Sequence, residues 1–335
     1  MAHPRPIVRL APLLGLAVLA AAMVHTGPGS AAELTLLRIN SFPNAKALPL
    51  QVGIGKGFFA RRGLKAELEL TESSKAQRDG LAAGKFQIAQ SAIDNAVAMI
   101  EGAKQDVVIL SGGDSGMNEF FVQAGINSFA ELRGRVVLVD APDTAYALQV
   151  KKLMAQHGVA PGDYTIKPAG AGVYRFKAMA EDKNNAAAIL NLPFTVEAAQ
   201  AGMKSLGRTI DLLGPYQAAG GFAMRAFAEQ NRDTVERYLA AYVEALRFLR
   251  DPANRAEAVG LLVSEQKLAR EIAERTYDQL IDPAFGFTPD ARFDREGFRN
   301  VMALRAEVEG KTTAAPERYL DFSYYEHAMM MVAGK

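Results

Sequence analysis

Apolar and polar positions along this chain fall into two rhythms, one of period two and one close to 3.6, and the two take turns from residue 34 to about residue 224. The stretch 33–71 sets the frame. An apolar, β-branched run over 34–39 breaks at Asn40-Ser41-Phe42-Pro43, resumes as a helical pattern over 48–59, and passes through Gly63 into the alternating segment 64–70. That predicts strand, loop, helix, strand. Phe58 and Phe59, between Gly57 and Gly63, read as core.

The unit then recurs. The cap-forming cluster Thr71-Glu72-Ser73-Ser74 leads into a helix over 77–83, a strand over 86–91 and a helix from Ala92 to Glu101. Strands are predicted at 107–111 and 119–123 on either side of a Gly-rich loop, 112–116. A second series follows: strands at 136–139, 164–168 and 186–191, helices at 145–157 and 174–182, and one to Ala201 that Pro193 opens at its first helical position. Phe222-Ala223-Met224 is strand-like after the Gly220-Gly221 pair. From Asp233 the chain is helical, with Val235, Leu239, Tyr242, Val243, Leu246 and Leu249 at helical spacing.

Alternating strands and helices imply parallel sheets with helical crossovers, and ligands bind such sheets outside the carboxyl ends of the strands. Two series with two crossovers, at 127–134 and 212–221, give two lobes facing one cleft about a hinge. The expected division is 33–124 with 217–335 for the first lobe and 125–216 for the second.

The phrase Gly53-Ile54-Gly55-Lys56-Gly57-Phe58-Phe59-Ala60-Arg61-Arg62-Gly63-Leu64, after a strand, a short polar loop and a helix, resembles the periplasmic binding proteins of the nitrate, sulfonate, taurine and thiamine-precursor ABC importers. The likeness continues through Gly80 to Asp94 and, more loosely, to about residue 250. It implies a two-lobed α/β architecture, the type II periplasmic binding protein fold, each lobe a mostly parallel sheet flanked by helices. It also implies a small-molecule ligand, an ABC permease with its ATPase as partners, no cofactor and a monomer.

Ahead of that unit, residues 1–9 carry Arg5 and Arg9 and no acid, 10–24 are apolar, and 26–32 are small and turn-forming, ending Ser30-Ala31-Ala32. This reads as a secretory signal peptide over 1–32. The alternative, an uncleaved anchor, is disfavoured because about 15 apolar residues fall short of the roughly 20 a span needs. Removal of both arginines takes the net charge from +1 to about −1, a balance that points away from nucleic acid. With no cysteine there are no disulfides, thiolate metal sites, cysteine nucleophile or lipid-anchoring cysteine. The exported protein is therefore expected to be periplasmic and soluble.

Candidate ligand contacts come from the predicted strand ends. In the first lobe these are Ser41, Phe42, Asn44, Ser73, Ser74, Ser91, Ala92 and Asp94, where hydroxyls and free N–H groups at helix starts suit an anionic head; simple capping is the equal alternative for each serine. In the second lobe they are Asp143, Thr144, Tyr146, Tyr174, Asn191, Pro193 and Phe194, with Tyr216 from the crossover. The resemblance carries Ser41-Phe42, Ser73-Ser74, Ser91-Ala92 and the Asp143-Thr144 step. Asp143 stands where the family often has Gly-Ser, which argues against a strongly anionic group there. Phe42, Tyr146, Tyr174 and Phe194 suit a planar ligand. Lys46, Lys75, Arg175 and Arg38 are the cations available to pair a carboxylate or sulfonate, or else sit on solvated faces. His157 and His327 lack a companion histidine at ligand spacing and are expected at the surface.

These features favour a solute receptor that captures a small organic anion, a sulfonate or aromatic carboxylate. A pyrimidine-type or neutral aromatic ligand, a sensory ligand-presenting role and an enzyme are the alternatives. The enzyme is disfavoured because no coherent catalytic set is present.

Overall fold

Among the described residues ten strands organise the computed structural model: β1 (Thr35–Ser41), β2 (Leu64–Leu70), β3 (Ile88–Ala92), β4 (Val107–Asp114), β5 (Asn118–Val122), β6 (Val136–Val139), β7 (Thr165–Pro168), β8 (Asn185–Asn191), β9 (Lys204–Arg208) and β10 (Ala219–Met224). The structure describes residues 1–3, 33–310 and 313–334, of which those from Leu34 onward belong to one compact unit. The signal-peptide reading falls on residues outside the described ones, Met1 to His3 excepted.

The strands form two five-stranded sheets of orders β2-β1-β3-β10-β4 and β7-β6-β8-β5-β9. In the first, β1 runs parallel to β2 and β3, while β10 lies antiparallel between β3 and β4. The second repeats the plan: β6 is parallel to β7 and β8, and β5 lies antiparallel between β8 and β9. Both sheets are thus mixed but mostly parallel, four of the five strands in each running the same way and one, β10 or β5, the other. The cause is the crossover itself, because the strand entering each sheet from the other arrives pointing the opposite way.

That exchange corrects the expected boundary at 124/125. β5 was assigned to the first lobe, but it pairs with β8 from Asn118↔Asn191 to Val122↔Ala187. Phe120 packs edge-on against Phe129, ring centroids 4.7 Å apart, in the core of the second sheet. The chain therefore crosses over at 115–117. It returns between β9 and β10, over 209–218. Gly220 and Gly221, expected in the crossover ahead of the strand, lie inside β10: a Cβ at Gly220 would sit 2.2 Å from the Ser111 carbonyl oxygen, and one at Gly221 would sit 2.8 Å from the Gln90 amide oxygen. Only glycine lets β10 insert here.

The first core is closed by the helix Arg232–Arg250, whose Val235, Tyr238, Leu239, Tyr242, Val243, Leu246 and Leu249 are all buried against Leu37, Ile39, Leu48, Leu50 and Val52. Phe59 stacks on Tyr238 at 5.9 Å. Its ring lies so close to the helix Leu48–Gly55 that a Cβ on Gly53 would come within 2.4 Å of it. Gly57 and Gly63, at φ +69° and +72°, supply the left-handed backbone that turns the chain into and out of the Phe58-Phe59 plug. The helix Arg295–Glu309 packs on the first lobe and reaches the second through Glu307, 2.5 Å from Lys152. Among the described residues no helix is long and apolar enough to cross a membrane.

Candidate ligand-binding site

The carboxyl ends of β1, β3, β4 and β8 and the start of β10 converge between the two sheets, as the exchanged strands require. They enclose a cavity of about 40 Å³, room for a few water-sized groups in this conformation. Of the residues expected from sequence, Ser41, Phe42, Asn44, Ser74, Ser91, Ala92, Tyr146, Asn191 and Tyr216 line it.

Most of the first-lobe hydroxyls are already engaged. Ser41 Oγ donates to the Gln90 carbonyl at 2.9 Å, Ser91 Oγ donates to Gln77 Oε1, and Ser74 Oγ accepts from Asn95 Nδ2 at 3.2 Å. Gln77 Nε2 continues the chain to Asn40 Oδ1 at 2.8 Å. Asn44 Oδ1 caps its own turn by accepting from the Lys46 N–H at 2.9 Å. This buried network shapes a wall and occupies the serine hydroxyls, with Asn40 Nδ2 its one donor left without a partner among the described residues.

Seven expected contacts lie elsewhere, Asp143 among them, its Oδ2 paired with Arg78 at 2.9 Å. Ser73 is a helix cap, its Oγ accepting from the Ala76 N–H at 3.1 Å. Asp94 is buried in a two-pronged ion pair with Arg305, at 2.8 and 2.6 Å, behind the cavity wall. Thr144 Oγ1 bonds back to the Ala141 carbonyl at 2.9 Å. Tyr174 is 42% exposed, because its helix starts at Gly172 and turns the ring outward. Pro193 is the residue capping Phe194–Gln200 rather than its first helical residue, and with Phe194 it borders a separate cavity alongside Phe176, Lys177 and Glu197.

Three of the cations weighed from sequence, Lys46, Lys75 and Arg38, are paired with acids of the protein, whereas Arg175 has no acid partner among the described residues and its Nη2 is buried without a hydrogen bond. Lys46 does line the cavity, but its Nζ sits 2.9 Å from Asp114 Oδ1 and 3.3 Å from Asn118 Oδ1. Arg175 is buried behind Tyr146, its guanidinium 4.4 Å from the ring centroid, and it donates to the Gly170 and Ile189 carbonyls. Lys75 pairs with Asp79 and Arg38 with Glu67 at the surface. His157 stacks on Phe129 at 4.2 Å, and His327 meets Glu236 at 3.1 Å on an exposed face. Among the described residues no group of three His, Asp or Glu is placed to hold a metal.

Sequence reasoning missed Gln90, Asp114, Asn118, Gln149, Tyr242 and Phe287, all of which line the cavity. Asp114 Oδ1 accepts from Lys46 and from the Gly116 and Met117 N–H groups, whereas its Oδ2 is buried with no partner among the described residues. Gln149 Oε1, Asn191 Oδ1 and the Tyr216 hydroxyl are likewise buried without a partner of acceptable geometry. Asn191 spends its Nδ2 on the Tyr146 hydroxyl at 2.9 Å. Tyr238 donates to Gln90 Oε1 at 3.1 Å and Gln90 Nε2 donates to the Tyr242 oxygen at 3.0 Å, a relay that leaves the Tyr242 proton free to point at the cavity. Burial, with the Asp114 carboxylate next in weight, raises the Tyr242 phenol well above the ordinary tyrosine range. Burial and the Asp94 carboxylate do the same to Tyr216, with the Gln149 amide and Arg305 acting against them. Both stay neutral donors.

The chain resembles several solved binding proteins over most of its length. It superposes on the ligand-binding component of an ABC-type import system from Staphylococcus aureus with a TM-score of 0.74 at 14% identity, covering 88% of this chain and 99% of that one. The periplasmic nitrate-binding protein of Synechocystis gives 0.74 at 15% identity, with 90% of each chain covered. The periplasmic aliphatic sulphonate-binding protein of Escherichia coli gives 0.68 at 17%, covering 86% and 92%. All three are described as binding proteins, none as an enzyme. No curated protein sequence matches the chain significantly. The family model described as "NMT1/THI5 like" matches residues 44–255, well over half of the sequence. The chain belongs to the NMT1/THI5-like family.

Proposed function

We propose that this protein is the periplasmic solute-binding component of an ABC import system, closing its two lobes on a small ligand and presenting it to a membrane permease. The family, the two-lobed fold and the signal-like leader support that reading. Affinity then comes from closure around the cavity at the strand ends rather than from any chemical step.

The ligand reading turns on Asp114. Its second carboxylate oxygen is a buried acceptor on the cavity wall with no partner, and a polar atom left so costs about 1–3 kcal/mol until something donates to it. The one lysine on the wall is already neutralised by the same carboxylate. Phe42, Tyr146, Tyr216, Tyr242 and Phe287 add aromatic surface. These features favour a flat, neutral or cationic ring bearing N–H donors, such as an aminopyrimidine, over the small organic anion expected from sequence. The anion remains the second reading, supported by the nitrate and sulphonate binders among the similar structures.

A thermal-shift screen of the purified protein against aminopyrimidines, aromatic carboxylates, sulfonates and nitrate separates the two. A ligand that binds only the folded state raises the melting point by an amount that grows with its concentration over Kd. The proposal expects a rise with donor-bearing rings. A rise confined to sulfonates or nitrate overturns the ligand reading and keeps the receptor. No rise with any class overturns the assignment of this cavity.

A further inference from the structure

We propose that Asp140 sets the charge selectivity of the cleft by acting as its internal anion. Asp140 follows β6 in the second lobe and is 3% exposed. Its carboxylate reaches across to the first lobe, with Oδ2 3.1 Å and Oδ1 3.4 Å from the backbone nitrogen of Ser74. Ser74 is the first residue of the nine-residue helix Ser74–Ala82 and lines the cavity. The start of a helix presents unpaired N–H groups and the positive end of its dipole, which favours an anion. Here the anion is part of the chain.

The surrounding charges show that this is the only support Asp140 has among the described residues. Arg78, one turn along the same helix, gives its guanidinium to Asp143 Oδ2 at 2.9 Å. Arg305 is taken by Asp94 and Glu309 and by the Asp143 carbonyl at 3.0 Å. Lys75 is held by Asp79 and Lys46 by Asp114. No side-chain cation pairs with Asp140, and a buried carboxylate without a cation persists only where hydrogen bonds and fixed dipoles hold it. When the lobes meet, the second lobe delivers that carboxylate to the helix start. An anionic ligand would have to displace it and then share the cleft with its charge, whereas a neutral or cationic ligand would not. The inference rests on the cavity being the ligand site and adds to that reading the residue that selects against anions.

The test is calorimetric titration of sodium nitrate, sodium sulfate and sodium methanesulfonate into wild type, Asp140→Ala, Asp140→Asn and Asp143→Asn. Asp140→Ala is expected to bind at least one of the three about tenfold tighter than wild type. Asp140→Asn, which keeps an acceptor but loses the charge, is expected to gain less. Asp143→Asn, which leaves the helix start covered, is expected to gain nothing. A folded Asp140→Ala with no gain overturns the proposal, as does equal gain in Asp143→Asn. Should the position-140 variants fail to fold, wild type decides: micromolar binding of any of these anions overturns the proposal, and their failure to bind or to compete with a donor-bearing ligand at millimolar concentration supports it. A roughly 5- to 10-fold weakening of aminopyrimidine binding in Tyr242→Phe, scored in parallel, reports on the cavity itself, so failure of the Asp140 role and failure of the site are read separately.

Discussion

Replacing Asp94 by alanine should destabilise the protein without removing a ligand contact. The carboxylate is 2% exposed, receives Arg305 Nε and Nη2 at 2.8 and 2.6 Å, and is not part of the cavity wall. Deleting one member of a buried pair leaves the other charge uncompensated, at a cost of about 3–5 kcal/mol. Arg305 retains Glu309 and the Asp143 carbonyl, so the lower end, about 3 kcal/mol, applies. In a chain of this size that lowers the melting temperature by about 5 °C. Replacing both residues by leucine removes the orphaned charge and should recover most of the loss. Urea unfolding followed by circular dichroism measures the cost, and calorimetry with a ligand from the screen measures the affinity of the folded variant. An Asp94→Ala protein within about 0.5 kcal/mol of wild type, or one that keeps its stability while losing affinity, would refute the reasoning and return Asp94 to the ligand.

How much of this was legible in the sequence follows from where each residue's partners lie along the chain. Ser41, Ser91 and Asn191 close apolar runs, and the end of a parallel strand is where a cleft must form. The plug Phe58-Phe59 and the helix from Asp233 were readable because their partners recur at local spacing. Asp114, Tyr242 and Phe287 were not. They reach the cavity only because β10 inserts between β3 and β4 and the helix Arg232–Arg250 closes beneath, contacts more than a hundred residues apart in sequence. Gly220-Gly221 misled for a related reason: the pair marks the approach of the Ser111 carbonyl inside β10, not the end of the crossover. β5 was placed in the wrong lobe because a strand's rhythm is the same whichever sheet accepts it. Asp94 looked like a helix-start ligand because its partner, Arg305, lies far along the chain.

Other perturbations test other parts of the account. Tyr242→Phe removes the hydroxyl that Gln90 orients and should weaken a donor- or acceptor-bearing ligand by roughly 5- to 10-fold, about 1–1.4 kcal/mol, in calorimetry. Asp114→Asn releases Lys46 and leaves the wall with a net positive charge, so binding in the thermal-shift screen should swing from donor-bearing rings toward anions. Gly220→Ala forces a methyl against the Ser111 carbonyl and should cost more than about 2 kcal/mol in urea unfolding, since backbone on both sides must shift. Buried Tyr216, Tyr238 and Tyr242 all hold their protons above the ordinary tyrosine range. Their contribution is intact below the unfolded value of about pH 10 and falls above it, by about 1.4 kcal/mol per pH unit for each phenol. The urea midpoint should therefore drop steeply above about pH 10.

The most direct test of the central claim is a paired calorimetric titration of the wild-type protein with an aminopyrimidine and with an aromatic sulfonate of similar size. A cavity whose lysine is neutralised and whose Asp114 carboxylate still lacks a donor predicts at least about tenfold tighter binding of the amino ring, about 1.4 kcal/mol. Tighter binding of the sulfonate would contradict it.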